Sequence, residues 1–458
     1  MKIIARLSSL ILICLFSSCA TFYEINYEFN QNFEQGNLEK SDQILSKSKK
    51  KLTRKATFLY YANRGVVKHM LGEYEVSNEL LEQGYLFGED YSKNYLNEAA
   101  SFLVNSTITE YRGEDHEHLL LLYYKAINYL KLNDYESALV ECRRLNNRLN
   151  ALGDKYKSDK KYKRDAFIHN LMGIIYEASG DVNNAFIAYR NSYNIYKEDY
   201  PGLFLTTVPD QLKQDLMRSA FLNGFQDELD FYERQFETKY VHKASNEGEV
   251  VFFWHNGLGP VKDEWSINFT VVDGGPGIVT FANEDMDFSF PFSYDYENDG
   301  SSSITDLDLL RIAFPKYVER RPTHARGTLS LDGRSKDLEL AENVNEIAFQ
   351  VLRQRMVLEF SRSLLRAALK KATEQAVQSE NEGLGLLVGL VNAFTEKADT
   401  RNWQTIPHSI YYTRMPLNQG DNKVKLTLKS ENGRNQIEQF SFQGQKGKTY
   451  FHTFQTLY

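Results

Sequence analysis

The segment from Asp165 to Tyr196 constrains the fold of this chain more than any other. Its apolar residues recur at helical spacing on both sides of Ser179-Gly180-Asp181, which predicts two amphipathic helices joined by a tight turn. The glycine supplies the left-handed residue with which helices commonly end. Gly173 is small where the two helices must approach closely. Small and large residues recur along the second helix at Ala185, Tyr189 and Ser192.

Three weaker copies of this hairpin precede it along the chain. They lie at Asn30–Leu45, Tyr61–Gly84 and Leu122–Arg148, with uneven spacing and with insertions between them. The pattern of small and large residues is similar to that of the tetratricopeptide repeat (TPR), a helix-turn-helix unit that stacks into solenoids. We therefore expect residues 19–245 to form a TPR-like α-solenoid with a concave groove. An irregular helical domain of another type is the alternative.

The apolar period changes near residue 249, and this change predicts a second domain over residues 246–458. Val250–Trp254 is a short apolar run typical of a buried strand. The predicted order is strands over 249–340, helices over 342–397 and strands over 409–458. The predicted fold class is therefore α+β: an N-terminal TPR-like α-solenoid followed by a strand-rich α+β domain with a long helix. A chain of 458 residues suits two or three domains.

The N-terminus predicts export and a lipid anchor. Lys2 and Arg6 form a positively charged region before the mostly apolar stretch Leu7–Phe16, which is too short to span a bilayer, since that takes roughly 20 residues. Phe16-Ser17-Ser18-Cys19 resembles a bacterial lipobox, with phenylalanine where leucine is usual. This resemblance implies that residues 1–18 are a signal peptide and that Cys19 is acylated. An ordinary signal peptide and a buried apolar helix are the alternatives.

The sequence offers few groups for chemistry. Besides Cys19 and a cysteine in the signal segment, the chain has only Cys142, so a disulfide within the mature chain is excluded and core packing is expected. His116 and His118 lie two residues apart and do not share a helix face, which argues against a metal pair. The acidic loop Asp295–Asp306 matches a calcium loop only in part. We expect neither metal nor cofactor.

Aromatic residues alternate along one predicted strand, at Phe288, Phe290, Phe292, Tyr294 and Tyr296. This alternation predicts a strand with one aromatic face, which either packs in a core or stacks on sugar rings. Pro291 cannot donate to a strand ladder, so we expect the strand to run at a sheet edge. We expect the aromatic face to pack in a core.

Two short motifs stand out in the second half. Gly259-Pro260-Val261-Lys262 follows a predicted strand, and Ala398-Asp399-Thr400-Arg401-Asn402-Trp403-Gln404-Thr405-Ile406-Pro407 follows an apolar segment. With the lipobox and the TPR-like helices, their order resembles a little-characterised family of TPR-containing bacterial envelope lipoproteins. Its second motif runs approximately Ala-Asp-x-Arg-x-Trp-x-x-Leu-Pro. Family members are often encoded near lipoproteins that activate penicillin-binding proteins, which implies a role in envelope assembly.

The resemblance implies no catalytic residue. The candidate site residues are Asp399, Arg401 and Trp403, either for partner binding or for a structural role. In the structural role, aspartate pairs with arginine and the indole fixes the junction between helix and strand.

These observations predict a non-enzymatic, lipid-anchored scaffold that binds envelope proteins through its TPR-like groove. We expect it in the outer membrane, facing the periplasm. A glycan-binding outer-membrane lipoprotein is the alternative, and a cell-wall hydrolase that uses Asp295 and Glu297 is a third possibility. The net charge of −7 argues against nucleic acid as a partner.

Overall fold

A computed structural model describes residues 22–52, 56–92, 110–155, 162–242, 247–273, 278–283, 288–293, 309–354, 398–430 and 433–457. The predictions for Cys19, for the loop Asp295–Asp306 and for the hydrolase pair fall outside them. So does most of the predicted long helix.

Helices occupy the described chain up to Gln235. In chain order they are α1 (22–34), α2 (Leu38–Ser48), α3 (Thr57–Met70), α4 (Tyr74–Ser92), α5 (Asp115–Lys131), α6 (Tyr135–Lys155), α7 (Ala166–Ala178), α8 (Val182–Glu198), α9 (Tyr200–Leu203), α10 (Asp210–Leu222) and α11 (Gln226–Gln235). A further helix, α12, begins at 344 and is described to 354.

Most of these helices pair into TPR-like hairpins, namely α1–α2, α3–α4, α5–α6, α7–α8 and α10–α11. Each turn has one residue with positive φ, two positions after the first helix ends: Gly36 (76°), Gly72 (80°), Asn133 (59°), Gly180 (86°) and Gly224 (71°). Glycine adopts this conformation without steric cost, and asparagine tolerates it better than most residues. The turn residues therefore end the first helices at equivalent points.

The close approach expected at Gly173 is present. A Cβ atom on Gly173 would overlap the Tyr189 ring, and one on Gly65 would overlap Leu81. The two residues of each such pair lie sixteen positions apart in the sequence. Cys142 occupies the corresponding large-residue position of α6 and is fully buried, as predicted.

The second half forms three sheets in the described residues. The strands are β1 (Glu249–Asn256), β2 (Val261–Asp273), β3 (Ile278–Asn283), β4 (Phe288–Ser293), β5 (Leu309–Val318), β6 (His324–Leu331), β7 (Arg334–Asp337), β8 (Glu339–Glu342), β9 (Ser409–Pro416), β10 (Gly420–Ser430), β11 (Asn435–Gly444) and β12 (Thr449–Gln455). Their orders are β12-β1-β9-β8, β11-β10-β6-β7 and β4-β3-β2-β5. The β1–β12 pair is parallel and the other described pairs are antiparallel. The predicted combination of α-helical and strand-rich parts is confirmed.

The aromatic strand β4 lies at a sheet edge, as predicted from Pro291. Phe290 is buried, and its ring centroid lies 6.0 Å from that of Phe269 on β2. The Phe290 side chain therefore packs against Phe269 on one face of the sheet that contains β4.

The sheet that contains β1 is the middle layer of the molecule. One face carries Val251 and Phe253, which share an apolar cluster with the helices. The other face carries Phe252 and Trp254, which pack against the sheet that contains β10. Because both faces of β1 are buried, its sequence is a continuous apolar run rather than an alternating one.

The sequence predicts a concave groove without placing it, and in the structure the first helices of the hairpins are covered rather than open. The β1 sheet covers this side of the stack. The Tyr123 hydroxyl of α5 lies 2.8 Å from His255 Nε2, and the ring centroids of Phe167 and Phe253 are 6.2 Å apart. Helices and sheet thus share one apolar cluster, because each buries the apolar face of the other. The predicted boundary at 245–246 falls within 243–246, outside the described residues.

Candidate functional site

The two short motifs lie against each other in the structure. Asn402 Nδ2 donates to the Pro260 carbonyl at 2.8 Å, and the Lys262 backbone N–H donates to Asn402 Oδ1 at 3.2 Å. The Gly259 N–H donates to the Ile406 carbonyl at 2.7 Å. A Cβ atom on Gly259 would lie 2.5 Å from the Ile406 side chain, so this approach requires glycine. Segments far apart in sequence therefore form one unit.

This unit is attached to the first turn of α5 through Glu117. The Trp403 backbone N–H donates to Glu117 Oε1 at 2.6 Å, and the Tyr111 hydroxyl donates to Oε2 at 2.7 Å. The same carboxylate accepts the Glu114 N–H at 2.9 Å, as in a capping box. The fully buried indole of Trp403 donates from Nε1 to Thr405 Oγ1 at 2.7 Å. Glu117 thus connects a helix start to the second motif.

Burial controls the charge of this junction. It raises the pKa of Glu117 to about 7, although nearby Lys262 and the hydrogen bonds from Trp403 and Tyr111 oppose the shift. The buried ammonium of Lys262 pairs with Glu114 and lies 5.6 Å from the centre of the Tyr111 ring. A buried cation next to carboxylates and an aromatic face is stabilised by both.

Asp399 and Arg401 form a bidentate ion pair within the second motif. Arg401 Nε donates to Asp399 Oδ1 at 2.8 Å, and Nη2 donates to Oδ2 at 2.6 Å. The guanidinium carbon lies 5.3 Å from the centre of the Tyr111 ring. Arg401 is 8% exposed and Trp403 is fully buried. Because their polar atoms bind within the chain, this geometry favours the structural role for the three candidate residues.

His116 and His118 lie in the first turn of α5 beside this junction. His118 Nε2 is 2.8 Å from the Arg112 carbonyl, and the His116 ring packs edge-on against Tyr317 with centroids 5.9 Å apart. Burial lowers the pKa of His116 to about 3. Within the described ranges, no three His, Cys, Asp or Glu side chains converge as a metal site requires.

A second buried cluster, which sequence reasoning missed, joins β9 to the helices. Arg414 contacts Glu177 Oε2 at 2.8 Å, Glu249 Oε1 at 2.7 Å and Asp215 Oδ2 at 3.2 Å. Arg218 supplies a second guanidinium, 2.7 Å from Glu177 and 3.0 Å from Asp215. Burial opposes ionisation of Glu177, but the two guanidinium groups lower its pKa to about 2. This carboxylate is therefore ionised at neutral pH.

A third cluster pairs two buried carboxyl groups, Asp165 before α7 and Glu342 on β8. The Tyr162 hydroxyl donates to Asp165 Oδ2 at 2.7 Å, and the Tyr200 hydroxyl donates to Glu342 Oε2 at 3.0 Å. Burial raises the pKa of both carboxyl groups. They line a cavity of about 30 Å³, which has room for about one water molecule. Its size argues against an organic substrate there.

The helical stack also has an open cleft of about 850 Å³ between α4 and α6, here named the α4–α6 cleft. Its base is ionic: Lys125 pairs with Glu82 and lies 2.7 Å from Glu141, and Arg144 pairs with both carboxylates. Apolar lining comes from Tyr61, Val76, Leu80, Tyr129 and Leu132. The volume lies within the range of ligand-binding sites, and charged side chains outnumber apolar ones in the lining. No sequence motif marks these residues as a group.

Among the described residues, no helix combines the length and apolarity needed to cross a bilayer.

Comparison with known proteins yields distant similarities only. No protein-family model matches the chain, and no curated protein sequence matches it. Among solved structures, BtubC from P. vanneervenii aligns at TM-score 0.33 and 12% identity, over 49% of this chain and 85% of that one. The TPR-like repeats of a putative kinesin light chain from Podosopora anserina align at TM-score 0.30 and 13% identity, over 46% and 90%.

A third similar structure is the Rap conjugation regulator of plasmid pLS20 in complex with the Phr* peptide. It aligns at TM-score 0.28 and 15% identity, over 48% of this chain and 55% of that one. TM-scores at this level carry no statement about what this chain binds.

Proposed function

We propose that this protein is a non-enzymatic, lipid-anchored scaffold of the cell envelope and that a partner protein binds in its α4–α6 cleft. The observation that carries the proposal is the division of the helical stack into two sides. One side is buried against the β1 sheet, and the other has an open cleft of about 850 Å³. We assign to this cleft the binding role that the TPR-like pattern predicts for a groove.

The lining of the cleft suits a segment of protein. Val76 is 40% exposed, and Tyr61 and Tyr129 are half-buried, so a partner could cover apolar surface that now faces water. Exposed Glu75 and Glu79 lie at the same face of α4 and can orient a partner through charge. The ionic base between α4 and α6 keeps the cleft walls in place before binding, which reduces the entropy cost of association.

Photo-crosslinking in intact cells tests the cleft. A benzoyl-phenylalanine replaces Val76, and a matched control replaces Ile187 on α8, which is 38% exposed and lies on another hairpin. We expect irradiation to join a defined partner to position 76 and not to position 187. Equal products at both positions, or none at position 76, would refute binding in the cleft.

The lipid anchor belongs to the same proposal, and it rests on the lipobox-like Phe16-Ser17-Ser18-Cys19. Two or three acyl chains hold a protein stably at a bilayer, because each buried methylene contributes about 0.8 kcal/mol. We expect the mature N-terminal peptide to have the mass of an acylated cysteine. We also expect Cys19→Ser to move the protein from the outer-membrane fraction to the soluble fraction. An unmodified mature N-terminus would contradict this part.

A further inference from the structure

We propose that β11 is a docking edge for an extended, acidic segment of a partner protein, which adds to the sheet as a further strand. This inference rests on the proposed scaffold function and assigns a second binding surface, on the strand-rich half. Two independent observations support it: the direction of the backbone groups of β11, and the uncompensated charge on the strand next to it.

The backbone of β11 has hydrogen-bonding groups that point away from the sheet. β11 is the terminal strand in the order β11-β10-β6-β7. The Gly327 carbonyl of β6 accepts from Leu338 and so points away from β10. Leu428, its register partner on β10, therefore directs its backbone groups toward β11 and Gln436. Because the direction of the backbone groups alternates along a strand, the N–H and C=O groups of the odd-numbered residues of β11 point away from β10.

A side-chain contact supports the same assignment. The Tyr450 hydroxyl of β12 donates to the Gln443 carbonyl, as it could if that group points away from β10. Ile437, Gln439 and Ser441 then present their N–H and C=O groups at about 7 Å intervals, the spacing that an added strand needs.

In the described part of the chain, the edge lacks the features with which proteins usually block such pairing. Exposed edges are commonly protected by lysine, proline or a bulge. The strand Asn435–Gly444 contains no lysine or proline, and its one charged side chain is Glu438. Its register with β10 is regular along its whole length. Ile437 is 56% exposed on this edge.

Positive charge next to the edge selects the kind of partner. Lys423 and Lys425 of β10 are exposed and lie opposite Ser441 and Gln439. Their side chains therefore lie on the solvent-facing side of the sheet, here named the outer face, together with the side chains of the odd-numbered residues of β11. Lys429 lies directly opposite Arg326 on the same face, a like-charge pair that costs stability.

Within the described chain none of these four cations forms an ion pair. Two described carboxylates share this face. Asp421 lies near the start of β10, and Asp337 lies on β7, at the opposite edge of the sheet. An acidic partner would therefore neutralise charge that the described residues leave unpaired.

An extended acidic segment satisfies both observations. Glutamates at alternate positions of an added strand would lie on the outer face beside Lys423 and Lys425, because residues paired across a ladder point to the same face. A second copy of β11 would supply only uncharged side chains to that face, since Glu438 points to the other one. A lipid surface would leave the backbone groups unused.

Fluorescence anisotropy with the full lipidated chain in mild detergent tests the inference. The probe is a labelled peptide of about ten alternating glutamate and threonine residues, the length of a long strand. We expect Lys423→Gln with Lys425→Gln to weaken binding about tenfold at low salt, because each exposed charge pair contributes roughly threefold. The matched control, Lys40→Gln with Lys47→Gln, removes two exposed cations from α2 and should leave binding unchanged.

Two further measurements test the backbone hydrogen bonds separately from the charge of the lysines. Gln439→Pro removes an outward donor while the ladder to β10 stays intact, and we expect it to weaken binding at least tenfold. In an antiparallel added strand, the glutamates beside the lysines direct their own N–H groups at β11, so a peptide with N-methylated glutamates should fail to bind the unaltered protein. This second measurement remains decisive if Gln439→Pro does not fold.

Three outcomes would overturn the inference. They are no binding of the acidic peptide, unchanged binding after N-methylation, and equal loss in the α2 control. Binding that survives N-methylation and disappears in salt would identify a general cationic surface, which attracts anions without using the backbone of β11. Crosslinking at position 76 is measured separately in the Lys423→Gln, Lys425→Gln variant. Its persistence there would show that the scaffold proposal stands even where this inference fails.

Discussion

Replacing Arg414 by alanine tests whether the buried ionic cluster holds the helices to the β1 sheet. The Arg414 side chain is 3% exposed and contacts Glu177, Asp215 and Glu249 within 3.2 Å. Its removal leaves the three carboxylates with Arg218 as the one remaining cation of this cluster. Breaking a buried ion pair typically costs 3–5 kcal/mol, which is a large part of a usual unfolding free energy of about 5–15 kcal/mol. We expect a loss of about 4 kcal/mol.

Urea unfolding followed by tryptophan fluorescence measures this loss. With a slope of about 3 kcal/mol per molar urea, the midpoint should fall by about 1 M. The control is Arg164→Ala, whose side chain is 43% exposed and pairs with Glu198 and Asp199 at the surface. Exposed pairs of this kind contribute about 1 kcal/mol or less. A loss for Arg414→Ala no larger than that of the control would refute the reasoning.

The pH dependence provides a second check of the same variant. The pKa of Glu177 is lowered from 4.5 to about 2 in the folded protein. A lowered carboxyl pKa stabilises the folded state above pH 4.5, and this contribution is lost as the pH falls toward 2. The deficit of Arg414→Ala should therefore be largest at pH 7 and smaller at pH 3.5. A deficit that grows on acidification would contradict the assigned ion pairs.

Three further predictions follow from other parts of the structure. Gly173→Ala should cost about 1–3 kcal/mol in urea unfolding, because its Cβ atom would overlap the Tyr189 ring, whereas the control Gly202→Ala has open space and should change little. The pKa of Glu117 is about 7 in the folded protein and 4.5 in the unfolded chain. The free energy of unfolding therefore falls as the pH rises from about 4.5 to 7, because the unfolded chain ionises first. Glu117→Gln should therefore gain stability relative to the natural chain by about 2 kcal/mol between pH 5 and 8; no change in this difference would contradict the assignment. Cys142 is buried and burial raises its pKa, so a maleimide should label it only after unfolding, and rapid labelling of the folded protein would show that α6 opens.

The candidate residues illustrate how far sequence reasoning reached into the site. The motif that contains Asp399, Arg401 and Trp403 could be recognised because its residues are neighbours in the chain. Its anchor, Glu117, is 286 positions away from Trp403. In the sequence, Glu117 resembles an ordinary acidic residue that supplies favourable negative charge at a helix start. The capping-box spacing from Glu114 to Glu117 was the available signal for a more specific role.

The sequence by itself determined four of the five helical hairpins, their turn residues and the strand-rich second half, but the hairpin α10–α11 was found only in the structure. These features depend on residues within a few turns of each other, such as the pair Gly173 and Tyr189 or the left-handed Gly180. Their determinants can therefore be found without knowing what packs against them.

Only the tertiary structure decided that the β1 sheet covers one side of the helical stack. Arg414 and Glu177 are 237 positions apart and meet because two apolar surfaces close over them. In the sequence, these residues resemble charged groups that face water. Burial makes their pairing necessary, since a charge removed from solvent is tolerated only with partners in place. Among the described residues, this closure leaves the α4–α6 cleft exposed, which is one of the two surfaces that we propose for partner binding.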